Sequence, residues 1–192
     1  MSLFSCKPAQ LFKLNYRHCL GLVFAAVLLT GLPIKVVSQT ISGTVNGYAK
    51  VVSINTGGCL PVIGVDDPTG FAVGNKVLLI QMKGASFNTV NGPTYGQVTA
   101  LNEAGNYEFA TITAIGGTNF TLSGPLIRSY NIAGFVQLVR VYEATDATVT
   151  GNLSCPNWSA ITGKGGVVVL DIANTLTISA NIVANGAGFV GG

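Results

Sequence analysis

His18 is the only histidine in the 192-residue chain, and it lies inside the N-terminal leader-like segment 1–38. Beyond that segment there is no imidazole for a Ser-His-Asp or Cys-His arrangement, and none for a usual zinc site. No G-x-S-x-G elbow occurs either. Seven acids are present, and Asp66-Asp67 is their one adjacent pair. Two carboxylates about 5–9.5 Å apart serve glycoside hydrolysis, and oxygen ligands of this kind hold Ca²⁺ weakly. Asp66 and Asp67 are therefore the candidate metal ligands. The Pro68-Thr69-Gly70 sequel reads equally as a turn in which Asp caps the backbone. The stretch 186–191 matches G-x-G-x-x-G, but a dinucleotide site needs a following helix and an acid about 20 residues later. A glycine-rich turn is the expectation there, with no cofactor, no catalytic residue and no enzymatic activity.

Aromatic residues offer a better lead. Phe87, Tyr95, Tyr130 and Trp158 fall in or beside loops, where exposed rings stack on sugars or anchor protein contacts. The alternative is that they cap the ends of the fold. Cys59 and Cys155 remain once an N-terminal leader is removed, and an even pair in an exported protein suggests one disulfide; two unpaired thiols are the other reading.

The elements that must hold these residues are strands. Composition beyond residue 38 is rich in Gly, Thr, Asn, Val and Ile, with no helical period. A first strand region is expected over 44–55. The run 77–82 is apolar enough to be buried on both faces. Residues 83–104 form a polar, Gly/Asn-rich loop or hairpin, and long loops of this kind tend to carry function. From 107 to 115 the residues alternate, with Tyr107, Phe109, Thr111, Thr113 and Ile115 on one face. Gly116-Gly117-Thr118-Asn119 signals a hairpin turn, and 135–142 is a further strand. Short strands separated by turns every 8–12 residues fit an antiparallel sandwich or small barrel over 39–143. A transition segment spans 144–164. From 165 to 192 apolar strands repeat between Asn and Gly corners, which suggests the start of a parallel β-solenoid. The expected fold class is all-β, a sandwich or small barrel followed by that solenoid.

Lys7, Lys13 and Arg17 precede the apolar run 19–32, Pro33 breaks it, and Ser38 supplies a small residue before a cut ahead of Gln39. Residues 1–38 thus read as a signal peptide. From residue 39 onward six basic residues stand against seven acids, a formal −1, so the chain's +3 belongs to the leader. A near-neutral chain lacks the basic footprint of a nucleic-acid binder. After cleavage no membrane segment remains, and a secreted or cell-surface location follows.

The succession VLLIQMKGA, YEFATITAI, FVQLVRV and GGVVVLDIANTLTISANIVANGAGFVGG resembles the N-terminal region of large secreted surface proteins of the Bacteroidetes, over residues 39–192. Those proteins resemble adhesins, and many carry a gliding-motility or type IX sorting domain, which this chain lacks. The resemblance implies an exported entry module with no catalytic residues to carry over. The expected function is a structural or adhesive, non-catalytic module of a cell-surface protein. The alternative is the accessory carbohydrate-binding part of a secreted polysaccharide-active enzyme. Surface glycans or other surface proteins are the expected partners, with a downstream solenoid or self-association covering the last strand.

Overall fold

The computed structural model describes residues 38–189. The expected signal peptide lies outside them apart from Ser38, as does the end of the glycine run 186–191. In chain order the strands are β1 (Gln39–Gly43), β2 (Gly47–Asn55), β3 (Val62–Val65), β4 (Lys76–Gln81), β5 (Ser86–Phe87) and β6 (Val98–Ala100). They continue as β7 (Tyr107–Gly116), β8 (Asn119–Leu122), β9 (Val136–Arg140), β10 (Tyr142–Ser154), β11 (Leu170–Ile178) and β12 (Ile182–Val183). A single 3₁₀ turn, Ile132–Gly134, precedes β9. The fold is all-β, and of the two antiparallel forms expected it is the barrel that closes.

Six strands make the barrel in the order β2-β3-β8-β7-β4-β9, each antiparallel to its neighbours. Period-2 side chains fill it: Ala49 and Val51, Ile63 and Val65, Val77 and Leu79, Ile112, Phe120, and Val136 with Leu138. The expected alternation of β7 holds up to Ile112. A bulge between Ile112 and Ala114 then turns Ile115, expected on the face of Tyr107, toward the core beside Phe120. The strand expected over 44–55 is β2, which begins at Gly47, three residues later than expected.

Residues 39–43, assigned from sequence to the barrel domain, instead pair in parallel with β10. β10 itself lies in the segment expected to be a transition, and is the central strand of a parallel sheet ordered β1-β10-β11, with β12 also on β10. Side chains stack in columns across this sheet: Thr40, Thr148 and Thr177; Ile41, Val149 and Ile178; Gly43, Leu153 and Ile182. From Asp146 to Ser154, partners on the following strands lie 29 residues on, as in Val149 opposite Ile178 and Ser154 opposite Val183. Between β1 and β10 the separation is 108 residues, Gln39 opposite Ala147. The barrel is inserted between two successive turns of the parallel coil.

Residues 165–169, expected as a strand, form no ladder. They are the wall shared by barrel and coil. Val167 and Val169 pack on the outer face of the barrel over Leu78, Val139 and Val141, while Val168 faces the coil interior with Ile41, Val149 and Leu153. This second face explains why Leu78, between inward Val77 and Leu79, is also buried. The segment's backbone is held by side chains. Gln137 both donates to the Gly165 carbonyl and accepts from its amide at 3.0 Å, Tyr48 donates to Val167, and Asn46 brackets Val169 through both amide atoms. Ion pairs from Lys76 to Asp171 and from Lys164 to Asp66 (2.8 Å) also join the two parts.

Cys155 is a free, buried thiol, so the expected Cys59–Cys155 bridge is not made. The two residues belong to different parts of the structure. Cys59 sits in the loop after β2 on the rim of a cleft, and Cys155 follows β10 in the coil. Burial pushes the Cys155 thiol above its usual pKa.

Candidate functional site

Strand directions set the two ends of the barrel. β2, β4 and β8 run one way and β3, β7 and β9 the other. The chain therefore enters and leaves at one end, where the connections 66–75 and 117–118 also lie. The opposite end gathers loop 56–61, loop 82–106 and loop 123–135. Two clefts open among them.

The first cleft, of about 440 Å³, has Ile54, Pro61, Pro125 and Leu126 as its apolar lining, with Thr56, Arg128, Ser129 and Tyr130 among its polar residues. The second, of about 410 Å³, is lined by Lys83, Asn102, Glu103, Asn131 and Phe135 among others. Asn102 (φ 46°), Glu103 (φ 65°) and Phe135 (φ 56°) are the non-glycine residues with positive φ among those described. All three line the second cleft. Backbone in this region is strained for side-chain-bearing residues and persists where surroundings over-determine it.

Gln81 supplies that constraint. Its buried amide donates to the carbonyls of Lys83 (2.7 Å) and Asn102 (2.9 Å) and accepts from the Asn131 amide (2.7 Å), tying together three segments around the cleft. A Cβ at Gly134 would collide with this amide, which is why the 3₁₀ turn carries glycine there. Gln81, Gln137 and Asn46 are the buried polar side chains among the described residues. None was singled out from sequence. A lone amide within an apolar strand, as in VLLIQ and VQLV, was the available signal.

The candidate aromatics divide. Phe87 and Tyr95 belong to the β5–β6 hairpin and its turn and are exposed, Tyr95 by 67%. Val90, Val98 and Leu101 are exposed beside them, and no charged residue occurs from 84 to 102. Tyr130 is half-buried against the barrel core. Burial and then Glu108 push its phenol well above the ordinary value. Its buried hydroxyl makes no well-formed hydrogen bond, although Glu108, whose two oxygens accept from the backbone amides of Ile127 and Arg128, lies close by. Trp158, expected beside a loop, is buried, its ring edge-on to Phe135 at 5.6 Å and to Phe189 at 4.9 Å. Its face is closed to ligands. Tyr107 and Phe109, about half exposed on the outer face of β7, went unselected because alternation does not say which face meets water.

Asp66 and Asp67 serve backbone and ion-pair roles. Asp66 accepts from the Lys50 amide (2.7 Å) through one oxygen and pairs with Lys164 through the other. Asp67 accepts from the Thr69 amide, and hydrogen bonds from Thr69 hold its pKa below the usual carboxylate value. No cluster of three or more His, Cys, Asp or Glu that could hold a metal ion occurs among the described residues. None of their helices is long and apolar enough to cross a membrane.

Most charged side chains are committed. Lys76, Lys164 and Arg140 bond to acids or carbonyls. Lys50 lies over Phe135, and Lys83 lies 5.6 Å from the rings of both Phe135 and Phe189. Glu108, Glu143, Asp146 and Asp171 likewise accept from named partners. Among the described residues, Arg128 and Glu103 are the two charged side chains with no hydrogen bond, ion pair or ring contact. One lines each cleft.

No protein-family model matches the chain. No curated protein matches it either. Among solved structures it is similar to the Gp54 tailspike of Acinetobacter baumannii bacteriophage AP22, solved with A. baumannii capsular saccharide, at 9% identity and a TM-score of 0.35 over 58% of this chain. It is also similar to the tailspike gp49 of Pseudomonas phage LKA1, at 14% identity and a TM-score of 0.31 over 62% of this chain. The matches cover 21% and 20% of those chains, about a fifth of their length.

Proposed function

We infer that this chain is an exported, non-catalytic module of a cell-surface protein that makes adhesive contacts through the loop end of its barrel, with surface glycans as the partner. The observation that carries this reading is the arm 84–102, which exposes Phe87 and Tyr95 among amides and hydroxyls and contains no charge. Flat rings stack on the C–H faces of sugars, and Asn, Gln, Thr and Ser groups meet their hydroxyls. Mounting supports the same reading. The barrel packs on the coil along one wall, through Val167 and Val169 over Leu78, Val139 and Val141, and none of the hydrogen bonds of the arm 84–102 among the described residues reaches the coil. Export rests on the leader pattern of residues 1–38.

The test is binding of the whole chain to an array of surface polysaccharides. Saccharide binding that falls at least tenfold in both Phe87→Ala and Tyr95→Ala, at unchanged melting temperature, supports the reading. Unchanged binding in both variants, or no binding to any saccharide, removes it.

A further inference from the structure

We propose that the first cleft, between loop 56–61 and residues 125–130, binds a carboxylate-bearing sugar ring, a uronate unit of an acidic polysaccharide. This rests on the glycan-contact reading above and assigns it a second, charge-selective subsite.

Arg128 is exposed and its guanidinium is uncommitted, while each of the other basic side chains described has an acid, a carbonyl or an aromatic ring beside it. A free guanidinium fork matches the planar, two-oxygen geometry of a carboxylate, which it grips with two parallel hydrogen bonds. Glu108, which lies beside this stretch, makes no ion pair with it among the described residues. Its two oxygens accept from the amides of Ile127 and Arg128, so it fixes the backbone that carries the guanidinium. The rest of the cleft suits a sugar ring. Ile54, Pro61 and Leu126 offer an apolar surface for its C–H face, and Thr56 and Ser129 offer hydroxyls. A volume of about 440 Å³ lies within the roughly 300–1,000 Å³ of small-ligand pockets.

Charge also decides between the clefts. The second carries uncommitted Glu103, and its Lys83 is held over two aromatic rings. A carboxylate meets opposed charges there, whereas Arg128 is the one charged residue lining the first cleft.

The experiment is calorimetric titration of the whole chain with oligomers of galacturonate, glucuronate and mannuronate and with neutral oligomers of equal length, at low and high salt. At least one uronate is expected to bind tenfold or more tighter than its neutral counterpart, with the advantage shrinking in high salt. Arg128→Gln is expected to abolish that advantage without moving the melting temperature, and Arg128→Lys to restore part of it. Leu126→Trp, which fills the cleft, is expected to weaken uronate binding in the same way. Equal affinity for acidic and neutral oligomers, or a uronate preference that survives Arg128→Gln, overturns the proposal. If neutral glycans bind and depend on Phe87 and Tyr95 while Arg128→Gln changes nothing, the contact reading stands and the uronate site falls. If no oligomer binds, both fall.

Discussion

Gln81 shows how a single side chain sets local backbone. Its two carbonyl partners and one amide partner come from residues 83, 102 and 131, separated in sequence and adjacent in space. Replacing it with Leu keeps the volume but leaves those partly buried groups unpaired, a cost of about 2 kcal/mol. Gln81→Leu is expected to lower the urea midpoint correspondingly and to speed hydrogen exchange at residues 102–104 and 131–134. Unchanged exchange in those loops would show that Gln81 does not hold the second cleft. Asp67 gives a pH signature at the same scale. Hydrogen bonds from Thr69 lower its folded pKa, so the stability it contributes is fully present above the unfolded aspartate value of about 3.9. That contribution is lost as the pH falls through the lower, folded value. An NMR titration should find Asp67 below the ordinary aspartate range, and Thr69→Val should move it back up.

At the scale of elements the shared wall 165–169 matters most. Alternate residues look into two different cores, and three buried or half-buried side chains, Asn46, Tyr48 and Gln137, replace the ladder that a neighbouring strand would supply. Backbone polar groups buried without partners cost free energy comparable to a lost hydrogen bond, which is why these amides and the phenol stand where they do. Gln137→Met removes both buried bonds to Gly165 and is expected to cost about 2–3 kcal/mol. The surface pairs Lys76–Asp171 and Asp66–Lys164 are partly exposed, and each should contribute no more than about 1 kcal/mol. Equilibrium unfolding of Gln137→Met beside Lys164→Ala tests this ranking. A larger loss in Lys164→Ala would mean that ion pairing, and not the buried amide, holds the wall.

The whole molecule is a parallel coil with a barrel inserted between its turns. Its column Ile41–Val149–Ile178 remains apolar to β11, yet Val149 is fully buried while Ile178, stacked on it, is 60% exposed. Ile182 is 41% exposed above buried Leu153. An uncovered strand edge of this kind templates further pairing. Sedimentation of the chain is expected to show concentration-dependent self-association, reduced by Ile178→Lys through like-charge repulsion at the open edge. A monomer at all concentrations, with and without Ile178→Lys, would count against pairing through β11.

Strand content, the hairpin at Gly117 and the doubly buried run at 77–82 were legible in the sequence because they rest on local facts: a two-residue side-chain period and residues that favour turns. The absence of imidazole beyond His18, and the uncharged aromatic stretch that became the exposed arm, were equally plain. Pairing between residues 108 apart, the closure of six strands into a barrel, and the seating of 165–169 were decided by tertiary structure alone. So were the burial of Trp158 and the isolation of Arg128. Local sequence specifies which side chains share a face. Which face meets which, and so which charge or ring is left without a neighbour, depends on contacts between segments remote in the chain, and exists only once they have packed.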